Sequence, residues 1–268
     1  MAYMLGAPKG DPGWKDVAPS ADAAMDEEEK ACNFGPPKKH ARGTYRLLST
    51  GFSYGGGPRH PFNIPCRSPT RKAAMGRLVR HPAFMRISGH TNGSPRLYKH
   101  LDEVVIDICN NDPTLQKPFD KSIFPAATFN FGPGVATIPH RDSRNVPYGW
   151  CAVTALGNFD YKRGGHLILW DLKLIIEFPP GSTILFPSAV ITHSNTAIQP
   201  GETRRSFTQH FAGSLVRWWT YGFRTEAAME REDPDLAKKL KARAGGRWEK
   251  VLGYFSKWAE LSKDMGAF

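Results

Sequence analysis

Between residues 127 and 213, apolar and polar positions alternate in short runs broken by Gly, Pro and Asn. A period of two marks half-buried strands. It predicts strands at Ala127–Phe131, Val135–Arg141, Trp150–Leu156, His166–Trp170, Leu174–Phe178, Ser182–Phe186, Val190–Asn195 and Ser206–Phe211. No helical stretch separates them, so they argue for a closed or double-sheet jelly roll. Gly164-Gly165 and Pro179-Pro180-Gly181 supply tight turns, since glycine tolerates positive φ and proline presets its own.

The flanks change period. Ser68-Pro69 reads as a cap followed by proline in the first turn, and Met75, Leu78 and Val79 then recur at helical spacing. A second helix runs from about Pro95 to Asn110, with Leu97, Leu101, Val104, Val105 and Ile108 on its apolar stripe. Both are expected on the outside of the sheet. After Gly222 the helical pattern returns. Asp233-Pro234 opens a Lys-rich helix, and Trp248, Leu252, Phe255 and Trp258 form a stripe expected to pack on the domain. Residues 43–66 contain Gly55-Gly56-Gly57 and read as a loop. That loop is either a surface loop anchored by Phe52 and Tyr54 or one laid against a nucleic-acid backbone. The fold class is α+β: a double-stranded β-helix (jelly-roll) core flanked by N- and C-terminal helices. The expected division is a flexible arm over 1–35 and a basic loop-and-helix segment over 36–126, a candidate DNA-binding region. The catalytic core follows over 127–224, then C-terminal helices over 225–268.

Charge adds a partner class. The 268 residues carry a formal net charge of +11, with Lys and Arg dense from Lys38 to Lys99. Such a basic stretch suits a polyanion, with nucleic acid first. Pro37-Lys38-Lys39-His40-Ala41-Arg42 reads as a short nuclear address, so a nuclear location is expected. By contrast, the acidic run Asp26-Glu27-Glu28-Glu29 lies in a Pro-, Gly- and Ala-rich stretch with little to pack. Cys32, Cys66, Cys109 and Cys151 are far apart with no C-x-x-C, which argues against a structural zinc cluster. No apolar run is long enough for a bilayer and no signal-peptide core is present, so an intracellular protein without membrane contact is expected; a monomer is the expected state.

Candidate chemistry centres on His140 and Asp142, which lie two apart. In extended chain, residues i and i+2 face the same side, so an imidazole and a carboxylate converge. His193 follows about fifty residues later, and two histidines with one carboxylate form the facial triad of non-haem Fe(II) oxygenases. Such an oxygenase needs a source of two further electrons, and a dicarboxylic keto acid supplies them. Its far carboxylate calls for a bidentate cation, which Arg provides better than Lys. Arg204 and Ser206 share one face of the last strand, whereas Arg205 points the other way as an exposed alternative.

Pro139-His140-Arg141-Asp142, with Asn145 and Gly149, resembles the iron motif of the TET/JBP dioxygenases, which oxidise methylated or thymine bases in DNA. Arg204-Arg205-Ser206 followed by Gln209-His210 resembles the end of the same core. Phe159-Asp160, Gly164-Gly165-His166 and Phe178-Pro179-Pro180-Gly181-Ser182 look like stretches of the TET/JBP-like proteins of basidiomycete fungi. The likeness covers roughly Ala127 to His210. It implies Fe(II) on His140, Asp142 and His193, and 2-oxoglutarate on Arg204 and Ser206 with His166 beside it. It also implies base contacts from Asn145 and His210, and duplex DNA with methylated bases as partner. Arg144 stands where TET enzymes carry histidine, so its base contact differs. The cysteine-rich zinc region of animal TET proteins is absent. Asn130 resembles the strand asparagine that AlkB-type enzymes place near 2-oxoglutarate, and a turn cap is the other reading. The implied activity is oxidation of 5-methylcytosine to hydroxymethyl and further forms, or demethylation of N6-methyladenine. The rival readings are a 2-oxoglutarate hydroxylase of a protein side chain or small molecule, and a catalytically dead DNA-binding module.

Overall fold

The computed structural model describes residues 2–91, 94–243, 245–260 and 263–264, without the side chains of Arg247 and Trp258. The N-terminal part of the chain holds β1 (Tyr3–Leu5), α1 (Val17–Ala31), β2 (Lys39–His40), β3 (Gly43–Thr44), β4 (Arg46–Ser53), β5 (Phe62–Asn63), α2 (Pro69–Arg80), α3 (Pro82–Gly89) and α4 (Pro95–Asn111). The strands β6 (Ala126–Phe131), β7 (Cys151–Asn158), β8 (Leu167–Leu169), β9 (Leu174–Ile176), β10 (Thr183–Phe186), β11 (His193–Asn195) and β12 (Thr203–His210) follow. Four helices close the described chain: α5 (Gly213–Thr220), α6 (Glu226–Glu232), α7 (Pro234–Ala242) and α8 (Arg247–Leu252).

A seven-stranded sheet runs β1-β10-β7-β12-β6-β4-β5, and a three-stranded sheet runs β11-β8-β9. From β6 onward the chain crosses repeatedly between the two sheets, with β8 and β9 together in the small one, in the manner of a double-stranded β-helix. The expected strand over Val135–Arg141 is not regular. Pro139 has no N–H to give a ladder. The segment divides its hydrogen bonds instead: Ile138 N–H donates to Arg42 O, while His140 pairs with His193 beside the small sheet. The other seven expected strands are present with shifted ends.

Register fixes which residues face the interior. Arg204 pairs with Gly157, Ser206 with Ala155 and Asn130, and Thr208 with Val153 and Thr128. Alternation therefore puts Arg204, Ser206, Thr208 and His210 on the face between the sheets. That interior is apolar towards β7 and β10, where Ala155, Phe159, Leu167, Leu169, Phe178, Ile184 and Phe186 cluster. The outer face packs under helices. Phe84 of α3 meets Phe129 and Phe207 at ring separations of 5.0 and 5.1 Å. Leu101 and Val105 of α4 pack with Trp150 and Leu215. Ser68 caps α2 by accepting from Arg71 N–H, as its sequence position foretells.

The N-terminal reading needs correction. The described part of the expected 1–35 arm is not loose: β1 pairs with β10 at the edge of the large sheet, and α1 buries Val17, Ala21 and Met25. The acidic run is the reason. Glu28 takes two hydrogen bonds from Arg77 at 2.5 and 2.7 Å, and Glu29 binds Arg46 at 2.9 Å. Residues 43–66 are not all loop either, because β4 is a full member of the large sheet. Its Gly51 has φ +93°, and a Cβ there would lie 2.1 Å from Pro125 O, so glycine is required for the approach. In the C-terminal stripe, Phe255 packs on the α4–α5 cluster, but Trp248 and Leu252 are exposed. The Trp258 side chain lies outside the described residues.

Candidate metal centre and co-substrate wall

Two histidines far apart in sequence become neighbours through the main chain. His140 N–H donates to His193 O at 3.0 Å, and His193 N–H returns to His140 O at 2.9 Å. The rings lie 4.2 Å apart between centroids. Asp142 follows, held by its N–H to Ser188 O at 2.9 Å. One ligand atom each from His140, Asp142 and His193 falls within a 4.8 Å cluster, the metal-capable cluster found among the described residues. Arg141 points the opposite way, to Thr192 Oγ1 and Asp171, as the alternation requires.

The donor set fits a metal on three counts. The Nδ1 atoms of His140 and His193 sit 2.8 and 2.9 Å from the carbonyls of Ile138 and Ile191. That bond puts the proton on Nδ1 and turns a bare Nε2 into the site. Burial lowers the His193 pKa and so favours the neutral, ligating form. Finally, Asp142 Oδ1 is buried without a hydrogen-bond partner. Arg42 Nη2 lies 2.7 Å from it as an ion pair, off hydrogen-bonding geometry.

Arg204 supplies a second unfilled position. It is 1% exposed. Nη1 donates to Val135 O at 2.7 Å, while Nε and Nη2 are buried and unpartnered. Burial pushes its pKa down to about 10, so the guanidinium stays charged at neutral pH. Ser206 and Asn130, both expected here, meet across β12 and β6: Asn130 Nδ2 donates to Ser206 Oγ at 3.0 Å and to Thr208 Oγ1 at 3.4 Å. Asn130 thus lies within β6 on the interior face, not in a turn. The expected alternative cation, Arg205, is neither exposed nor available. Its side chain is 6% exposed and paired to Asp22, Asp26 and Glu29 of α1.

The remaining expected residues are spread around the site. His210 continues the polar face, with Nε2 3.3 Å from Thr128 Oγ1; burial lowers its pKa to about 4. His166 precedes β8 out of phase with buried Leu167 and Leu169, and its Nδ1 lies 3.3 Å from Thr196 Oγ1. The glycine before it, Gly165, passes over Arg204, where a Cβ would lie 3.3 Å from Arg204 Cδ and 2.6 Å from the Phe159 ring. Asn145 is engaged with its own loop: Nδ2 donates to Ser188 Oγ at 3.2 Å. Arg144 is exposed beside Gly56.

Sequence reasoning missed two residues. Arg42 was absorbed into a basic run read as an address. Tyr45, buried at the start of β4, has its pKa pushed up to about 12 by desolvation and lies within electrostatic range of Arg204 and Asp142. Neither residue carries a local signal: Arg42 sits in the β2–β3 turn and Tyr45 between β3 and β4.

Together these features define a double-stranded β-helix carrying a two-histidine, one-carboxylate cluster that could hold a metal. No protein-family model matches the chain, and no curated relative matches it. Among solved structures it is similar to NgTET1 in complex with 5mC DNA, at 13% identity, covering 80% of this chain and 74% of that one with a TM-score of 0.45. It is also similar to a Pseudomonas putida prolyl-4-hydroxylase, at 14% identity, 79% and 91% coverage and a TM-score of 0.39. A third is OsALKBH1, at 12% identity, 74% and 92% coverage and a TM-score of 0.38. No helix among the described residues is long and apolar enough to cross a membrane.

Proposed function

We propose that the chain is an Fe(II)/2-oxoglutarate-dependent dioxygenase acting on methylated bases in DNA. Arg204 carries the reading: a buried guanidinium with two unpartnered donors, on the strand face shared with Ser206, Thr208 and His210. A structural arginine would be satisfied by the protein, as Arg205 is. One left half-satisfied in the interior awaits an anion. His140, Asp142 and His193 would hold the metal, and Arg204 with Ser206 would hold the far carboxylate of 2-oxoglutarate. With both bound, the site supplies coupled decarboxylation of the keto acid and hydroxylation of a C–H bond.

The protein's own groups do the positioning. Three protein ligands leave metal positions open. Phe159, Phe178 and Phe186 keep water from the β7–β10 side of the interior. His210, held neutral by burial, is a base-side hydrogen-bonding group next to Thr128. A base must leave its stack to reach so deep a centre. The net charge of +11 supports a polyanionic substrate. 5-Methylcytosine is the first substrate and N6-methyladenine the second, the latter releasing formaldehyde. A nuclear monomer fits this reading; microscopy and sedimentation test it.

The deciding experiment incubates the protein with Fe(II), 2-oxoglutarate and duplex DNA carrying both methylated bases, then measures nucleosides by mass spectrometry. Loss of either methylated base supports the reading. Succinate release with both bases unchanged would refute the DNA substrate and favour a protein side chain or small molecule.

A further inference from the structure

The turn that presents Asp142 also presents a cation to the surface. Asn145 N–H closes the turn on Asp142 O at 2.8 Å, and Arg144 O accepts from Gly213 N–H at 2.8 Å at the start of α5. A second loop is fastened to the same place. Ser214 Oγ donates to Tyr54 O, and the Tyr54 and His60 rings stand edge-on to Trp218 of α5 at 5.1 and 5.4 Å. Between those anchors Gly55, Gly56 and Gly57 all have positive φ, at +100°, +79° and +129°. A Cβ on Gly56 would lie 3.7 Å from Arg144 Nη1, so the guanidinium runs along the glycine backbone. Residues 56–60 and Arg144 are exposed.

Several other arginines in the fold are spoken for. Arg46, Arg77, Arg86, Arg141 and Arg205 each pair with a carboxylate. Among the described residues, Arg59 and Arg144 form no ion pair. The Arg144 guanidinium and a bare glycine backbone therefore share one rim, two residues from the candidate metal ligand Asp142, and exposed Arg59 follows on the same loop.

We propose that Arg144, Arg59 and the Gly55–Gly57 backbone form a phosphate-binding rim that grips the DNA strand at the nucleotide delivered to the metal centre. Guanidinium matches phosphate bidentately, and glycine lets the strand approach the main chain closely. Tyr54 and His60, braced on Trp218, keep the loop from collapsing on the pocket. The inference rests on the DNA reading above and assigns it a contact surface.

The test titrates a fluorescent methylated duplex at several salt concentrations against the parent protein, Arg59→Ala/Arg144→Ala and Arg59→Lys/Arg144→Lys. The alanine pair should weaken binding at least tenfold and reduce the salt slope by about two, one per lost phosphate contact. The lysine pair should restore most of the slope. Metal and 2-oxoglutarate titrations should be the same in all three proteins, which separates a surface contact from a damaged fold. An alanine pair with parental DNA affinity and slope would overturn the rim and leave the DNA reading standing. A parent protein that binds no duplex, or binds polyglutamate equally well, would overturn both.

Discussion

Replacing Arg204 by methionine should stabilise the protein and disable it together. Two guanidinium donors, Nε and Nη2, are buried without partners. Each such orphan costs about 1–3 kcal/mol. Methionine fills a similar volume without polar atoms. The exchange also frees Val135 O, which Arg204 Nη1 holds at 2.7 Å, and one lost partner offsets about 1–3 kcal/mol of the gain. The net expectation without co-substrate is a gain of about 1–3 kcal/mol, or roughly 2–4 °C in Tm per kcal/mol for a chain of this size. Binding moves the other way. Two charge-assisted hydrogen bonds are worth about 1.5–3 kcal/mol each, so 2-oxoglutarate affinity should fall more than a hundredfold. Thermal melts with and without 2-oxoglutarate, using a redox-inert divalent metal, read both effects. A variant that melts below the parent without co-substrate, and binds 2-oxoglutarate as tightly, would refute the reasoning.

Three other outcomes follow from charge placement. Arg42→Ala removes a cation held 2.7 Å from Asp142 Oδ1, so divalent-metal affinity should rise about five- to tenfold; an unchanged or weaker titration refutes the competition. Arg205→Ala leaves Asp22, Asp26 and Glu29 without their shared partner, and urea denaturation should show a loss of about 2–4 kcal/mol. If stability is kept, the pairing of α1 to β12 is not what holds that helix. His100 stacks on Tyr254 and has its pKa lowered to about 4, chiefly by burial. The unfolded chain binds its proton first, so its contribution is intact above about pH 6.5 and disappears as pH falls towards 4. His100→Phe should shrink the difference in urea midpoint between pH 7.5 and 5; an undiminished difference sinks the assignment.

The candidate metal cluster is legible in the sequence because its signal is local. His140 and Asp142 share a face by alternation, and no tertiary knowledge is needed to see them converge. The same parity separates Arg204 from Arg205, and the structure puts Arg204 on the interior face and Arg205 against α1. Helix caps such as Ser68 are likewise local. What stayed hidden depends on distant partners. The run Asp26–Glu29 looks like a solvated tail until Arg46, Arg77 and Arg205 arrive from three other elements. β4 is masked by Gly51, which reads as a breaker, yet the close contact with Pro125 demands it. Arg42 lies in a hairpin, and Tyr45 just after it, whose position no spacing rule encodes.

The β1–β10 pairing has a consequence for how this chain is made. Tyr3–Leu5 can find its register only after Thr183–Leu185 has been synthesised, and α1 can settle its charges only when Arg205 has emerged. A segment made some 180 residues before its partner strand is thus among the last to lock. During that wait its edge strand and carboxylates stand open to solvent and chaperones. Long-range closure of this kind slows folding. A bulky fusion ahead of Tyr3 would act on this last step, lowering the yield of folded protein while leaving the chemistry of each finished molecule intact.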